Sequence, residues 1–194
     1  MSGSSLRSRH QRGFGLIETL ITLIVLLVAM LGLVGLLLAT QRAEAETYQR
    51  SQALILLQDM VDRINANRTA AGCYAITTDT VNGAPYLGTG AGAIPPCSLG
   101  TLQAYTLANS DLAAWSNLLA GAAEVRGSNV GAMIGARGCV SFDQTSGVYL
   151  VSVAWQGKAP TSAPVSGLSC GKSLYGNEAQ RRVVSATLQI ANLN

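Results

Sequence analysis

Between Phe14 and Thr40 the chain is apolar apart from Glu18, Thr19, Thr22 and Thr40. The uncharged run 19–41 is long enough to cross a hydrocarbon core of ~30 Å as a helix. Helical periodicity then continues in a different form. Leu54, Leu57, Val61 and Ile64 recur on one face, while Arg50, Asp59, Asp62 and Arg63 take others, so this half is amphipathic. No proline interrupts the chain from Phe14 to Ala84, and Asn65, Asn67 and Gly72 supply stop signals. The pattern predicts one helix over 14–67, roughly 80 Å long at 1.5 Å per residue.

Beyond it the periodicity lapses. Gly83, Pro85, Gly88, Gly90, Gly92, Pro95 and Pro96 make residues 72–106 read as a long loop. A short helix follows, capped by Asn109 or Ser110, with Asp111 in its first turn. Leu112, Trp115, Leu118 and Leu119 form its apolar face, and Gly121 closes it. In the last third the period falls to two. Val140 and Phe142, then Tyr149, Val151, Val153 and Trp155, then Val184, Ala186, Leu188 and Ile190 each alternate along a strand. Residues 143–147 fit a hairpin turn, and 157–176 form a long excursion before the last strand. These elements predict an α+β head over 68–194: a small antiparallel sheet whose apolar face is covered by the helix stripe.

Charge changes the picture at the N-terminus. Three of the 13 basic residues, Arg7, Arg9 and Arg12, lie before Gly13 with no acidic residue among them; the rest balance the 10 acidic ones. A near-neutral body lacks the basic footprint of a nucleic-acid binder. Arginines before the apolar run, with Glu44 and Glu46 after it, place the N-terminus in the cytoplasm and the head beyond the membrane.

Cysteine usage agrees with that placement. All four, Cys73, Cys97, Cys139 and Cys170, follow the apolar run, and an even number in such a compartment predicts two disulfides. Three connectivities are open; Cys73–Cys97 with Cys139–Cys170 is favoured because each closes a local loop. The wide gaps lack the close ligand pairs of a zinc site. Catalytic chemistry has little support. The only histidine, His10, lies in the N-terminal segment expected to be removed, so a mature chain has no imidazole for a triad or a metal. Asp59 and Asp62 read as a solvated helix face. No phosphate-binding glycine loop follows a strand, and neither cofactor nor metal is expected.

The segment Gly13-Phe14-Gly15-Leu16-Ile17-Glu18 ties these observations together. A secretory signal peptide fits poorly, because the apolar region far exceeds the 7–15 residues of a signal core and carries Glu18. The stretch resembles the class III leader of type IV pilins. That resemblance implies cleavage by a prepilin peptidase between Gly13 and Phe14, N-methylation of Phe14, and Glu18 as fifth residue of the mature chain. Further patches resemble the PilV type of minor pilin: "QDMVDRINANR" at 58–68, "DLAAW" at 111–115, "GCVSFD" at 138–143, "VYLVSVAWQG" at 148–157 and "RRVV" at 181–184. Segment 121–137 departs from that pattern. So does Gly35, which stands where major pilins carry a proline in the helix. With Gly32 it would allow close helix approach in a membrane.

The resemblance implies a leader over 1–13, a type IV pilin-like fold, and a non-enzymatic subunit that primes or caps a pilus. Its partners would be the prepilin peptidase, other minor pilins and pilus subunits, a tip adhesin and the inner membrane, with no nucleic acid. The chain would sit in the bacterial inner membrane with a periplasmic head, then on the cell surface in the pilus. Glu18 would pair with the Phe14 amine of an adjacent subunit, since a buried charge needs a partner. Two alternatives share parts of this pattern: a type II secretion pseudopilin, and a non-polymerising bitopic envelope protein that binds or senses. Sparse acidic residues after Asp143, with Glu178 alone, speak against the calcium site of some pseudopilins.

Overall fold

A computed structural model describes residues 15–94, 96–122 and 133–190. The chain divides into two compact units, one ending at Ala43 and the other running from Glu44. Helix α1 spans Leu16–Ala66 and contributes to both. In the first unit its side chains are exposed all round, and α1 is long and apolar enough to cross a membrane. The threonines there close their own hydrogen bonds. The hydroxyls of Thr19, Thr22 and Thr40 donate to the carbonyls of Leu16, Thr19 and Leu37 at 2.8–2.9 Å. Residues able to bond back to their own helix suit an apolar surrounding.

The second unit is the head. After α1 come α2 (Ala71–Tyr74), β1 (Leu87–Gly88), α3 (Leu102–Leu119), β2 (Arg137–Asp143), β3 (Val148–Gln156) and β4 (Arg181–Gln189). The four strands form one antiparallel sheet in the order β1-β2-β3-β4. Its core joins Ala53, Leu57, Met60 and Ile64 of α1 to Ala108, Leu112 and Trp115 of α3 and to Val140, Val151 and Val153 of the sheet. A long N-terminal helix packed on a small antiparallel sheet is the arrangement of a type IV pilin fold.

Four expectations are corrected. The buried stripe of α1 is Gln49, Ala53, Leu57, Met60 and Ile64, whereas Leu54 is 46% exposed and Val61 only partly covered. Small Ala53 lets neighbouring elements approach, and flexible Met60 fills the gap. Helix α3 starts at Leu102, not near Ser110, because Thr101 is the cap: its hydroxyl accepts from the Ala104 N–H at 3.3 Å. Asp111 therefore lies mid-helix, and the second apolar row is Ala104, Ala108, Leu112, Trp115 and Leu119, with Leu118 only partly buried. Gly121, at φ 93°, does end the helix.

Within the expected loop, two-residue β1 pairs Leu87 with Gly138 and Gly88 with Arg137. So short a strand has no periodicity to read. Finally, Phe142 is 39% exposed at the end of β2, where its ring lies 4.5 Å from that of Tyr149. Tyr149, Val151, Val153 and Trp155 are all buried as their alternation implies, but Cys139, Ser152 and Ala154 on the opposite face are buried as well.

Candidate assembly segment and head clamp

Gly13 and Phe14 lie outside the described residues. Glu18 sits in the first turn of α1, its backbone N–H donating to Gly15 O at 2.9 Å. Its carboxylate is exposed and has no partner among the described residues, in contrast to the threonines beside it. Neither Gly32 nor Gly35 has anything within 4 Å of where a Cβ would stand. This face of the helix is open to a neighbour.

In the head, polar residues hold the helices in register. Arg63 bonds Asp59 one turn earlier at 2.8 Å and reaches across to Asp111 of α3 at 2.7 Å. The buried Tyr74 hydroxyl donates to the other Asp111 oxygen at 2.6 Å and accepts from Asn67 Nδ2 at 3.2 Å. Asn67 also donates to the Ala104 carbonyl at 2.7 Å. Burial, reinforced by the bond to Asp111, pushes the Tyr74 phenol well above its ordinary value. The bond to Asp59 raises Arg63 against the lowering effect of its burial. A second tie lies one heptad back along α1, where the Trp115 indole N–H donates to the Leu56 carbonyl at 2.8 Å. Asp59 is thus half of an ion pair, while Asp62 accepts from Gln58 at 2.8 Å.

The disulfides join Cys73 to Cys97 and Cys139 to Cys170, with Cα separations of 5.4 and 5.8 Å. The first ties the loop before α3 to α2. Asn109 supports it, donating to Cys97 O at 2.9 Å and accepting from Cys97 N–H at 3.0 Å. The second pins the excursion between β3 and β4 onto the outer face of β2. Arg181, 4% exposed, holds the same excursion by donating to the carbonyls of Leu168 and Cys170 at 2.5 and 3.1 Å. Its charge is matched by Glu178 at 2.6 Å. Burial alone would raise the Glu178 carboxyl, but the Ser173 N–H and Arg181 outweigh it and hold the group below its ordinary value. Arg182 donates to Ala159 O at 2.6 Å and faces Glu46 of α1 at 3.7 Å.

The clamp itself was not anticipated from sequence. Arg63 and Asp111 stand 48 positions apart, and the only local signal was the i,i+4 pair Asp59–Arg63. Arg137 likewise carries no signal in the sequence. Its guanidinium lies between the rings of Tyr86 and Tyr175, at 5.4 and 4.8 Å, and donates to Gly135 O at 3.0 Å. No group of His, Cys, Asp or Glu able to hold a metal occurs among the described residues.

Two family comparisons bear on this arrangement. Residues 8–34 match the prokaryotic N-terminal methylation motif, and residues 36–108 match the family described as type IV pilin Tt1218. No curated protein and no solved structure matches the chain. The second match ends inside α3, so it takes in the head's half of α1, the first disulfide and the turn that carries Asn67 and Tyr74. The chain thus carries a methylation-type leader followed by a stretch similar to type IV pilins, on a pilin-type fold.

Proposed function

We propose that this chain is a minor pilin of the PilV type, a non-enzymatic subunit that primes or caps assembly of a type IV pilus. The observation that carries the reading is the order of parts. A methylation motif over 8–34 takes in the start of an exposed apolar helix, and that helix enters a head braced by two disulfides. An apolar run with one carboxylate and self-bonded threonines is suited first to a bilayer and then to a bundle of like helices. Prepilin peptidase would remove residues 1–13 and methylate Phe14. Glu18 then supplies the negative charge for the new Phe14 amine of an adjacent subunit, since two apolar-buried charges are costly apart and tolerable together. The partners are other minor pilins and pilus subunits, with a tip adhesin beyond them. The head lies outside the inner membrane before assembly and on the cell surface after it.

The test is mass spectrometry of sheared surface fibres together with the membrane fraction. The chain should be found in fibres at low abundance, with an N-terminal peptide beginning at methylated Phe14. Glu18→Ala should insert into the membrane normally yet enter fibres poorly. An intact Met1, a start at Glu46, or normal incorporation of the Glu18 variant would each defeat a part of the reading. Recovery with a secretion machine instead of surface fibres would transfer the chain to the pseudopilins.

A further inference from the structure

Strand β4 is a sheet edge, paired to β3 over nine residues and, among the described residues, to no strand on its other side. Natural proteins guard such edges with lysine, proline, bulges or a covering loop. From Val183 to Ile190 the sequence VVSATLQI has no charge, no proline and no glycine, and its register with β3 runs without a bulge. Gly157 N–H donates to Gln180 O, directly opposite, at 2.8 Å. Alternation along an antiparallel ladder then turns the backbone groups of Val183, Ser185, Thr187 and Gln189 outward. None of these outward groups has a partner among the described residues.

The side chains give the same indication. On β3 the row facing the helices is fully buried, whereas on β4 burial declines from Val184 to half-buried Ala186, Leu188 and Ile190. The apolar layer reaches the edge without being closed there. On the opposite face Ser185, Thr187 and Gln189 are exposed. A strand that fits this edge would carry apolar residues on the helix side, polar uncharged residues on the other, and free backbone groups along one edge.

We infer that β4 is an assembly edge that receives an extended, uncharged strand from the head of a different subunit in the fibre, extending the sheet from four strands to five. This rests on the pilus reading above. Backbone pairing would supply affinity, and the alternating side chains specificity. The neutrality of residues 183–190 sets the partner's charge, and the unclosed apolar row sets its pattern. A second copy docking by its own β4 in the antiparallel sense is disfavoured by symmetry. The two-fold axis would stand perpendicular to the sheet and reverse residues 44–66 of α1, which pack on the sheet face.

The experiment uses the full chain in cells that make the fibres. A photo-reactive residue replaces Thr187, with Gln103 on the exposed side of α3 as control. We expect an adduct from position 187 alone, mapping to an extended segment of another fibre subunit. Thr187→Pro, which removes an outward N–H and spares the ladder to β3, should lower incorporation at least tenfold, while Thr187→Ser should not. An adduct with a second copy, no adduct from chains present in fibres, or wild-type incorporation of the proline variant would overturn the strand proposal alone. Absence of the wild-type chain from fibres would instead overturn the pilus reading and this inference with it. The photo-reactive chain keeps the test decisive even where the proline variant fails to fold.

Discussion

Removing Asp111 should unfasten the head from the inside. Its carboxylate accepts from Arg63 at 2.7 Å and from Tyr74 at 2.6 Å, and only 13% of its side chain is exposed. Hydrogen bonds to charged groups contribute about 1.5–3 kcal/mol each. In Asp111→Ala, however, Arg63 keeps Asp59 and Tyr74 keeps its bond from Asn67. The expected cost is therefore about 3 kcal/mol, not the sum of two full bonds. For a domain of this size that lowers Tm by about 6–12 °C. The assay is thermal unfolding of the full chain in detergent micelles, followed by the fluorescence of Trp115 and Trp155, both in the head. Tyr74→Phe alone should cost about 1–2 kcal/mol, and the double variant should reveal a coupling of about 1–2 kcal/mol. Alkaline titration adds a second readout. The folded phenol ionises well above its ordinary value, so the unfolded chain loses its proton first. Stability then falls as pH rises past about 10, and Tyr74→Phe should make that slope shallower, the remainder coming from Tyr149 and Tyr175, which burial also raises. A coupling below about 0.5 kcal/mol, within the scatter for independent sites, would refute the clamp.

Two other perturbations reach separate parts of the head. Glu178 titrates below its ordinary value when folded. Its stabilising effect is thus present above about pH 4.3 and is lost as pH falls through the depressed value. Denaturant titrations between pH 3 and 7 (about the carboxylate range) should show Glu178→Gln less stable at neutral pH and less sensitive to acid; parallel curves would refute this. Gly138 of β2 lies under the ring of Trp115 and against Leu119, where a Cβ has no room. Gly138→Ala should therefore cost about 1–3 kcal/mol by overpacking, and an unchanged Tm would contradict the observed packing.

What the sequence disclosed depended on how far apart the cooperating residues lie. The apolar run and the three main strands repeat a local period, and both were legible. The buried stripe of α1 is not legible from residue size, which is a poor guide to burial here. Ala53 is covered for being small, and Leu54 stays half in solvent. Asn109 looked like a helix cap, but its side chain is occupied by the backbone of Cys97, and Thr101 does the capping. Strand β1 exists only because Gly138 and Arg137 lie beside it. Arg63, Tyr74 and Asp111 meet only after α1, α2 and α3 have packed, so no window along the chain contains their relation.

The two ties between α1 and α3 also have a mechanical meaning. Trp115 holds the Leu56 carbonyl, and Asp111 holds Arg63. These points stand seven residues apart on α1, roughly 10 Å along its axis. A pull along α1 would load both ties together in shear, with the core residues between them, and would not peel them one after the other. A head fastened in this way resists being drawn off its helix far better than single bonds of such size suggest. In a fibre of the kind proposed above, that fastening would carry tension from helix to head.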